Sequence, residues 1–255
     1  MKKKFHNIII AEIGSNHNGS VLLAKKHILS AKKAGADYVK FQMHIAEEES
    51  LKNAPSPDYF NKEDRFSYFK RINFNFENWK KLKKYCKAKK IGFLCSPFSI
   101  KAVDVLERLN VELYKIASFE INHIPLLEEV GKTKKPVIIS TGMADIEDVS
   151  LAIKTLKKNG STDIAILHCI SAYPSKPNNY NLNFINKLKK FNFPVGLSDH
   201  TIGNIVAVSS IGMGVNIFEK HIKLDKQKGL DSGFSTNSSE FKNYVNDINL
   251  SFASM

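Results

Sequence analysis

The sequence predicts an α/β protein, a single-domain (β/α)8 (TIM) barrel. Three observations predict it. Short apolar, mostly β-branched runs recur eight times, at residues 8–14, 38–43, 92–97, 113–118, 137–142, 164–169, 195–199 and 215–221. Each run ends in a small cluster of polar side chains, and helical periodicity fills the segments between them. The length of 255 residues is close to that of one such barrel. Strands alternating with helices form a parallel sheet, and the polar tips then converge on the face where such barrels place their chemistry.

In chain order, residues 21–35 form the first helix, with Ala24, Ile28, Ala31 and Ala34 on one face and Gly35 to stop it. After the second run comes an irregular stretch, about residues 44–78, with Pro55, Pro57 and a charged, aromatic segment at 59–76. A βα loop of that length is expected to be a lid or a substrate-binding insertion; the other reading is a surface excursion with its own short helix. Further helices are predicted over residues 77–90, 100–109, 125–133, 146–159, 181–191, 205–214 and 238–255. Pro136 and Pro194 mark loop-to-strand transitions. No internal repeat or low-complexity linker divides the chain, so residues 1–255 read as one domain.

Hydrophobic residues make up 43% of the chain, enough for a large core. The formal net charge is +13. A basic excess can serve nucleic acid, a membrane surface or anionic substrates. Here it is mostly Lys, in runs such as 2–4, 80–90 and 187–190, which read as solvated helix faces. No aromatic-interleaved basic repeat and no zinc-finger spacing occurs, so no nucleic-acid partner is expected. The cysteines, Cys86, Cys95 and Cys169, have no paired spacing, which predicts reduced thiols and a cytoplasmic protein. Glu12 cuts the first apolar run too short for a signal-peptide core, and no stretch approaches the ~20 apolar residues of a membrane span.

Two histidines, His200 and His221, end the seventh and eighth runs. Neighbouring parallel strands place equivalent residues about 5 Å apart, so the two imidazoles can share one divalent metal. Imidazole suits Mn, Fe, Co or Zn better than Mg or Ca. Only two protein ligands are evident, so water or substrate oxygens must complete the shell, as in a catalytic site. The alternative is two unrelated histidines, one packed and one at the surface.

A second group comprises Lys40, Ser96, Lys115, Ser118, Ser140, Thr141 and Ser198. A lysine inside a strand needs a matching charge. A phosphate dianion would match two, with the hydroxyls donating to its oxygens, which predicts a phosphorylated small molecule across the barrel mouth. Taken singly, each serine reads equally as strand-end capping. A rival reading makes Lys40, Lys115 or Lys220 a Schiff-base lysine. A third group is the carboxylates Glu12, Glu120, Asp199 and Asp231, which can move protons or position water. The plain alternative, strongest for Asp199 and Glu219, is pairing with the lysines. Tyr173 and Pro174 follow Cys169 in a loop that can touch a ligand. Asn16, His17 and Asn18 occupy the first βα loop, where His17 reads as a loop-ordering residue.

The segment Ala11-Glu12-Ile13-Gly14-Ser15-Asn16-His17-Asn18-Gly19-Ser20 resembles the opening motif of the sialic acid synthase family. Further matches follow in order: Val39-Lys40-Phe41-Gln42, Cys95-Ser96-Pro97-Phe98-Ser99, Tyr114-Lys115-Ile116-Ala117-Ser118-Phe119-Glu120, Ser140-Thr141-Gly142-Met143, His168-Cys169-Ile170-Ser171-Ala172-Tyr173-Pro174, Val195-Gly196-Leu197-Ser198-Asp199-His200-Thr201 and Glu219-Lys220-His221. The resemblance spans the whole chain. It implies an enzyme that condenses phosphoenolpyruvate with an open-chain N-acylated hexosamine to a nonulosonic acid, releasing phosphate. It implies that His200 and His221 hold a divalent metal, usually Mn, with Mg or Co as alternatives. It implies that Lys40, Ser96, Lys115, Ser118, Ser140 and Ser198 hold phosphoenolpyruvate. Gln42, Tyr173 and Asp231 are then expected to face the sugar, and Glu12, Glu120 and Asp231 to act at the reacting centre, with Glu12 orienting or deprotonating the attacking water.

Three departures from the family pattern stand out. Many members carry a small C-terminal domain similar to type III antifreeze protein, which reaches over the partner subunit's site, and no such segment is read here. A homodimer and a separate antifreeze-like chain are therefore the macromolecular partners to consider. The alternative function is a non-catalytic or auxiliary sugar-phosphate-binding barrel that needs a separate lid chain. Second, Gly229-Leu230-Asp231-Ser232 stands where N-acetylneuraminate makers commonly have Gly-Pro-Asp-His. Third, Ala117 and Phe119 flank Ser118 where those enzymes often have glycines, a version more similar to pseudaminic or legionaminic acid makers.

Overall fold

The structure is a computed structural model that describes residues 7–55, 60, 63–227 and 229–255. The basic run at 2–4, Pro57 and Tyr59 lie outside the described residues. Eight parallel strands close a barrel in sequence order: β1 (Ile8–Gly14), β2 (Tyr38–Met43), β3 (Gly92–Pro97), β4 (Tyr114–Ile116), β5 (Val137–Ser140), β6 (Ile164–Cys169), β7 (Val195–Asp199) and β8 (Ile217–His221). The last strand pairs with the first, which sets Glu12 opposite His221. The helices are α1 (Val21–Ala34), α2 (Ala46–Glu49), α3 (Arg65–Ile72), α4 (Phe76–Ala88), α5 (Ile100–Arg108), α6 (Ile124–Lys132), α7 (Ile146–Asn159), α8 (Phe184–Leu188), α9 (Ile205–Ile211) and α10 (Ser238–Ala253). Among the described residues no helix is long and apolar enough to cross a membrane.

Several boundaries differ from those read in the sequence. β4 stops at Ile116 because Ser118–Glu120 folds into a 3-10 turn, and β5 stops at Ser140. β8 begins at Ile217, two residues later than expected. The helix expected over 181–191 shrinks to α8 plus a 3-10 turn at Lys189–Phe191, because Asn181 takes a left-handed conformation (φ 46°) that a helix cannot contain. The last helix ends at Ala253, not at the final residue. Among its described residues, the stretch at 44–78 holds two short helices, α2 and α3, before α4 begins. It closes at Asn75, whose side chain caps α4 by accepting from the Asn78 N–H.

Side chains alternate across a strand, so each strand has an outward and an inward set. The outward set, including Val39, Phe41, Ile139, Ile166 and Leu197, packs against the helices in the main core, with Trp79, Leu82 and Tyr244 from the helical layer. The inward set splits along the barrel axis. Its lower part, Ile8, Ile10, Leu94, Leu113, Ile138, Ala165, Leu167 and Ile217, forms a separate apolar plug. One inward step further on the same strands come Glu12, Ser96, Lys115, Ser140, Cys169 and Glu219, all buried. The polar layer therefore rests on a closed apolar floor.

Candidate active site

Four charges occupy the centre of the polar layer. The Lys40 ammonium lies 2.8 Å from Glu12 and 3.6 Å from Glu219, and the Lys115 ammonium lies 3.8 Å from Glu219. Hydroxyls surround them. Lys115 donates to Ser140 Oγ (2.6 Å) and to the Ile116 carbonyl (3.1 Å); Lys40 donates to Ser96 Oγ (3.5 Å); Ser198 Oγ donates to Glu219 (3.1 Å). Five of the six residues assigned to phosphoenolpyruvate, Lys40, Ser96, Lys115, Ser140 and Ser198, thus converge. Ser118 lies beside them on the 3-10 turn, where its Oγ accepts from the Gly142 N–H (3.0 Å) and its side chain also bonds Cys169. In the structure the matching charge for the lysines is supplied by Glu12 and Glu219.

Environment sets the protonation of these groups. Burial pushes the Glu12 carboxyl up to about 7 against the pull of Lys40. Burial alone would do the same to Glu219, but Lys115 and Lys40 hold it below the ordinary carboxylate value. Burial brings Lys115 down to about 8. Burial also opposes the charge on Lys40, yet Glu12 and Glu219 outweigh it and raise that group.

The imidazoles of His200 and His221 stand at the rim, ring centroids 5.5 Å apart. His200 Nδ1 lies 2.9 Å from the Ile170 carbonyl, which can only accept, so Nδ1 carries the proton and Nε2 presents a lone pair. His221 Nδ1 is buried without a hydrogen-bond partner. Burial, with His200 adding, holds His221 well below the ordinary histidine value, in the neutral form a metal needs. The pair fits a divalent cation: His200 is oriented by a backbone carbonyl and His221 is otherwise unsatisfied. Burial opposes the charge on His200, yet Cys169 and the Ile170 carbonyl outweigh it and raise that group, so a metal there would displace a proton. Among the described residues no group of three His, Cys, Asp or Glu side chains is placed to hold a metal, so non-protein oxygens must complete the shell.

The remaining expected residues line the mouth. Gln42 Nε2 donates to Glu12 Oε1 (2.8 Å). Tyr173 packs at a tilt against His200 (4.3 Å between centroids) and Phe234 (4.8 Å). Asp231 Oδ2 accepts from Ser15 N–H (2.7 Å) and Ser15 Oγ (2.8 Å), which pins the loop after β8 across the first βα turn. Gly14 makes that crossing feasible: it has φ 54°, and a Cβ there would meet Asp231 Oδ2 at 2.3 Å. Glu120 sits farther out, bonded to His123 Nδ1 (2.8 Å), and no hydrogen bond ties it to the charged centre.

Some sequence readings are corrected by direction. Lys220 lies on the outward set of β8. Its ammonium binds Asp199 (2.9 Å) and the Thr201 carbonyl (2.7 Å) and lies over the Tyr244 ring, so neither Lys220 nor Asp199 reaches the mouth as a Schiff-base former or acid. Thr141 spends its hydroxyl on the Leu167 carbonyl. His17 is buried, packs on Phe74 and accepts from the Gly19 N–H, as a loop-ordering residue does. Two residues escaped the sequence reading. In the sequence Glu219 reads as a salt-bridge partner, although its place two residues before His221 puts it on the same inward face. His44, at the start of the insertion, carried no signal at all.

Comparison with known proteins follows the same outline. The NeuB family model matches residues 27–255. A protein of Methanocaldococcus jannaschii, uncharacterized protein MJ1065, is 44% identical over 244 residues, covering 95% of this chain and 70% of that one. The N,N'-diacetyllegionaminic acid synthase of Campylobacter jejuni is 37% identical over 251 residues, covering 95% of this chain and 74% of the enzyme. Among solved structures, the N-acetylneuraminic acid (sialic acid) synthetase of Leptospira borgpetersenii in complex with citrate superposes with a TM-score of 0.86 at 30% identity, over 98% of this chain and 85% of that chain.

Proposed function

The chain belongs to the NeuB family, and on that premise we propose that it is a nonulosonic acid synthase. The methylene carbon of phosphoenolpyruvate bonds to the aldehyde carbon of an open-chain N-acylated amino sugar, water adds at the enol carbon, and phosphate leaves. The observation that carries this reading is the Lys40–Glu12–Glu219–Lys115 quartet directly beside the His200–His221 pair.

Each residue has a part that follows from its surroundings. Lys40 and Lys115, with Ser96, Ser140 and Ser198, present donors to the phosphate and carboxylate of phosphoenolpyruvate in a site shielded from water, where such contacts are strong. His200 and His221 would hold a divalent cation, with Mn the first choice, which would supply positive charge and Lewis acidity toward the sugar aldehyde. Glu12, with its carboxyl near 7, is matched to taking a proton from water at neutral pH. Glu219 stays anionic and keeps both ammonium groups aimed at the same point. Gln42, Tyr173 and Asp231 face the open side, where the sugar enters.

The test is phosphate release from phosphoenolpyruvate with Mn and a panel of N-acetylated and N,N'-diacetylated hexosamines. Release that requires both the metal and one of these sugars is expected. Tight phosphoenolpyruvate binding with no release for any acceptor would replace the synthase with a sugar-phosphate-binding barrel.

A further inference from the structure

A continuous line of polar contacts runs from the insertion after β2 to the reacting carboxylate. Glu49, the last residue of α2, places Oε1 2.8 Å from His44 Nδ1. His44 Nε2 lies 3.2 Å from Gln42 Oε1, and Gln42 Nε2 donates to Glu12 Oε1 at 2.8 Å. Chemistry fixes the sense of this line. Gln42 turns its amino edge to Glu12 and its carbonyl to His44, the orientation required when Glu12 is ionised, because a carboxylate oxygen only accepts. The Glu49 carboxylate at Nδ1 and the Gln42 carbonyl at Nε2 both accept, so the His44 ring donates from both nitrogens. Rotating the amide by half a turn would set a carbonyl oxygen against the Glu12 carboxylate.

The imidazole is held rigidly for this. It is 5% exposed and lies between Phe69 of α3 and Phe98, with ring centroids 3.9 and 4.0 Å away and planes within 16° and 25° of parallel. Its partners come from α2, α3, β2 and the turn after β3, so the insertion and the barrel clamp one ring together.

We propose that His44 is a positioning residue that locks the Gln42 amide, and through it Glu12, in the geometry the reaction needs; the role rests on the synthase reading above. Three substitutions separate the hydrogen bond from the packing. His44→Phe keeps a flat ring between Phe69 and Phe98 but has no donor. His44→Gln places an amide N–H near the position of Nε2, and His44→Asn places one near Nδ1 only. The Phe and Asn variants are expected to lose on the order of 100-fold in kcat, as misplacement of a reacting group does. The KM for phosphoenolpyruvate should stay close to that of the original chain, because Lys40, Lys115 and the hydroxyls are untouched. His44→Gln should recover most of the rate, and all three should remain folded by thermal melting. Full turnover by His44→Phe would reduce the residue to packing and overturn the proposal.

A second measurement is independent of turnover. In protein labelled with 15N-histidine, His44 should show an exchange-protected Nε2–H resonance that is lost in Gln42→Met. Absence of that resonance, or its persistence in Gln42→Met, overturns the proposal even if no acceptor sugar is found. Failure of phosphate release by the original chain would instead remove the synthase reading while leaving this hydrogen bond in place.

Discussion

Two layers of the barrel interior lie one inward step apart on the same strands: Ile10 and Glu12, Leu94 and Ser96, Leu113 and Lys115, Ile138 and Ser140, Ile217 and Glu219. All ten are buried. In the lower layer burial is favourable, at about 25 cal/mol per Å² of apolar surface. In the upper layer burial is a cost, offset only where charges meet, as Lys40 meets Glu12 at 2.8 Å. The barrel thus draws stability from one layer and chemistry from the next. The shielding that makes the upper layer expensive is also what makes its charges act strongly on a substrate.

The contrast predicts opposite responses to substitution. Glu12→Gln should cut kcat by about 10²–10⁴, the range for a lost general base, while calorimetry still detects Mn and phosphoenolpyruvate binding. Unchanged phosphate release would take Glu12 out of the chemistry and erase the distinction between the layers. Ile10→Ala, one step below, should cost about 2–5 kcal/mol in urea unfolding, with turnover per folded molecule close to the original. A large loss of turnover without loss of stability would show that the floor is part of the site.

The smallest expected effect lies outside both layers and sharpens the comparison. His17 and His27 are buried, and burial lowers them to about 3 and about 4. An unfolded histidine titrates near 6.5, so between these values the folded chain binds fewer protons than the unfolded one. Their stabilising effect is whole above pH 6.5 and is lost as pH falls toward 3–4. Each contributes a slope of at most about 1.4 kcal/mol per pH unit. His17→Gln should flatten the acid side of a stability-against-pH curve, and an unaltered slope would show that His17 is not buried neutral in solution.

Much of the site was legible because it is written locally. Glu12, Lys40 and Lys115 are charges set inside apolar runs, and His200 and His221 stand at the ends of runs, and those positions alone mark them. Lys220 and Asp199 lie at or next to run ends too, yet they point outward; strand alternation counted back from His221 separates them from Glu219, which shares the inward face. His44 could not be read this way. Its partners Phe69 and Phe98 lie far along the chain, and Glu49 belongs to a short helix with no strong pattern of its own.

Strand number, strand order and the pairing of a polar tip with each strand follow from periodicity and polarity, which act between residues a few positions apart, and the sequence alone determines them. Tertiary structure decided that Glu12 and Glu219 answer the charge of Lys40 and Lys115, that Ser118 braces Gly142, and that the insertion grips His44. Those outcomes depend on distance and burial, and both are properties of the closed barrel: ion pairing falls off within a few ångströms and strengthens only where neighbouring strands exclude water.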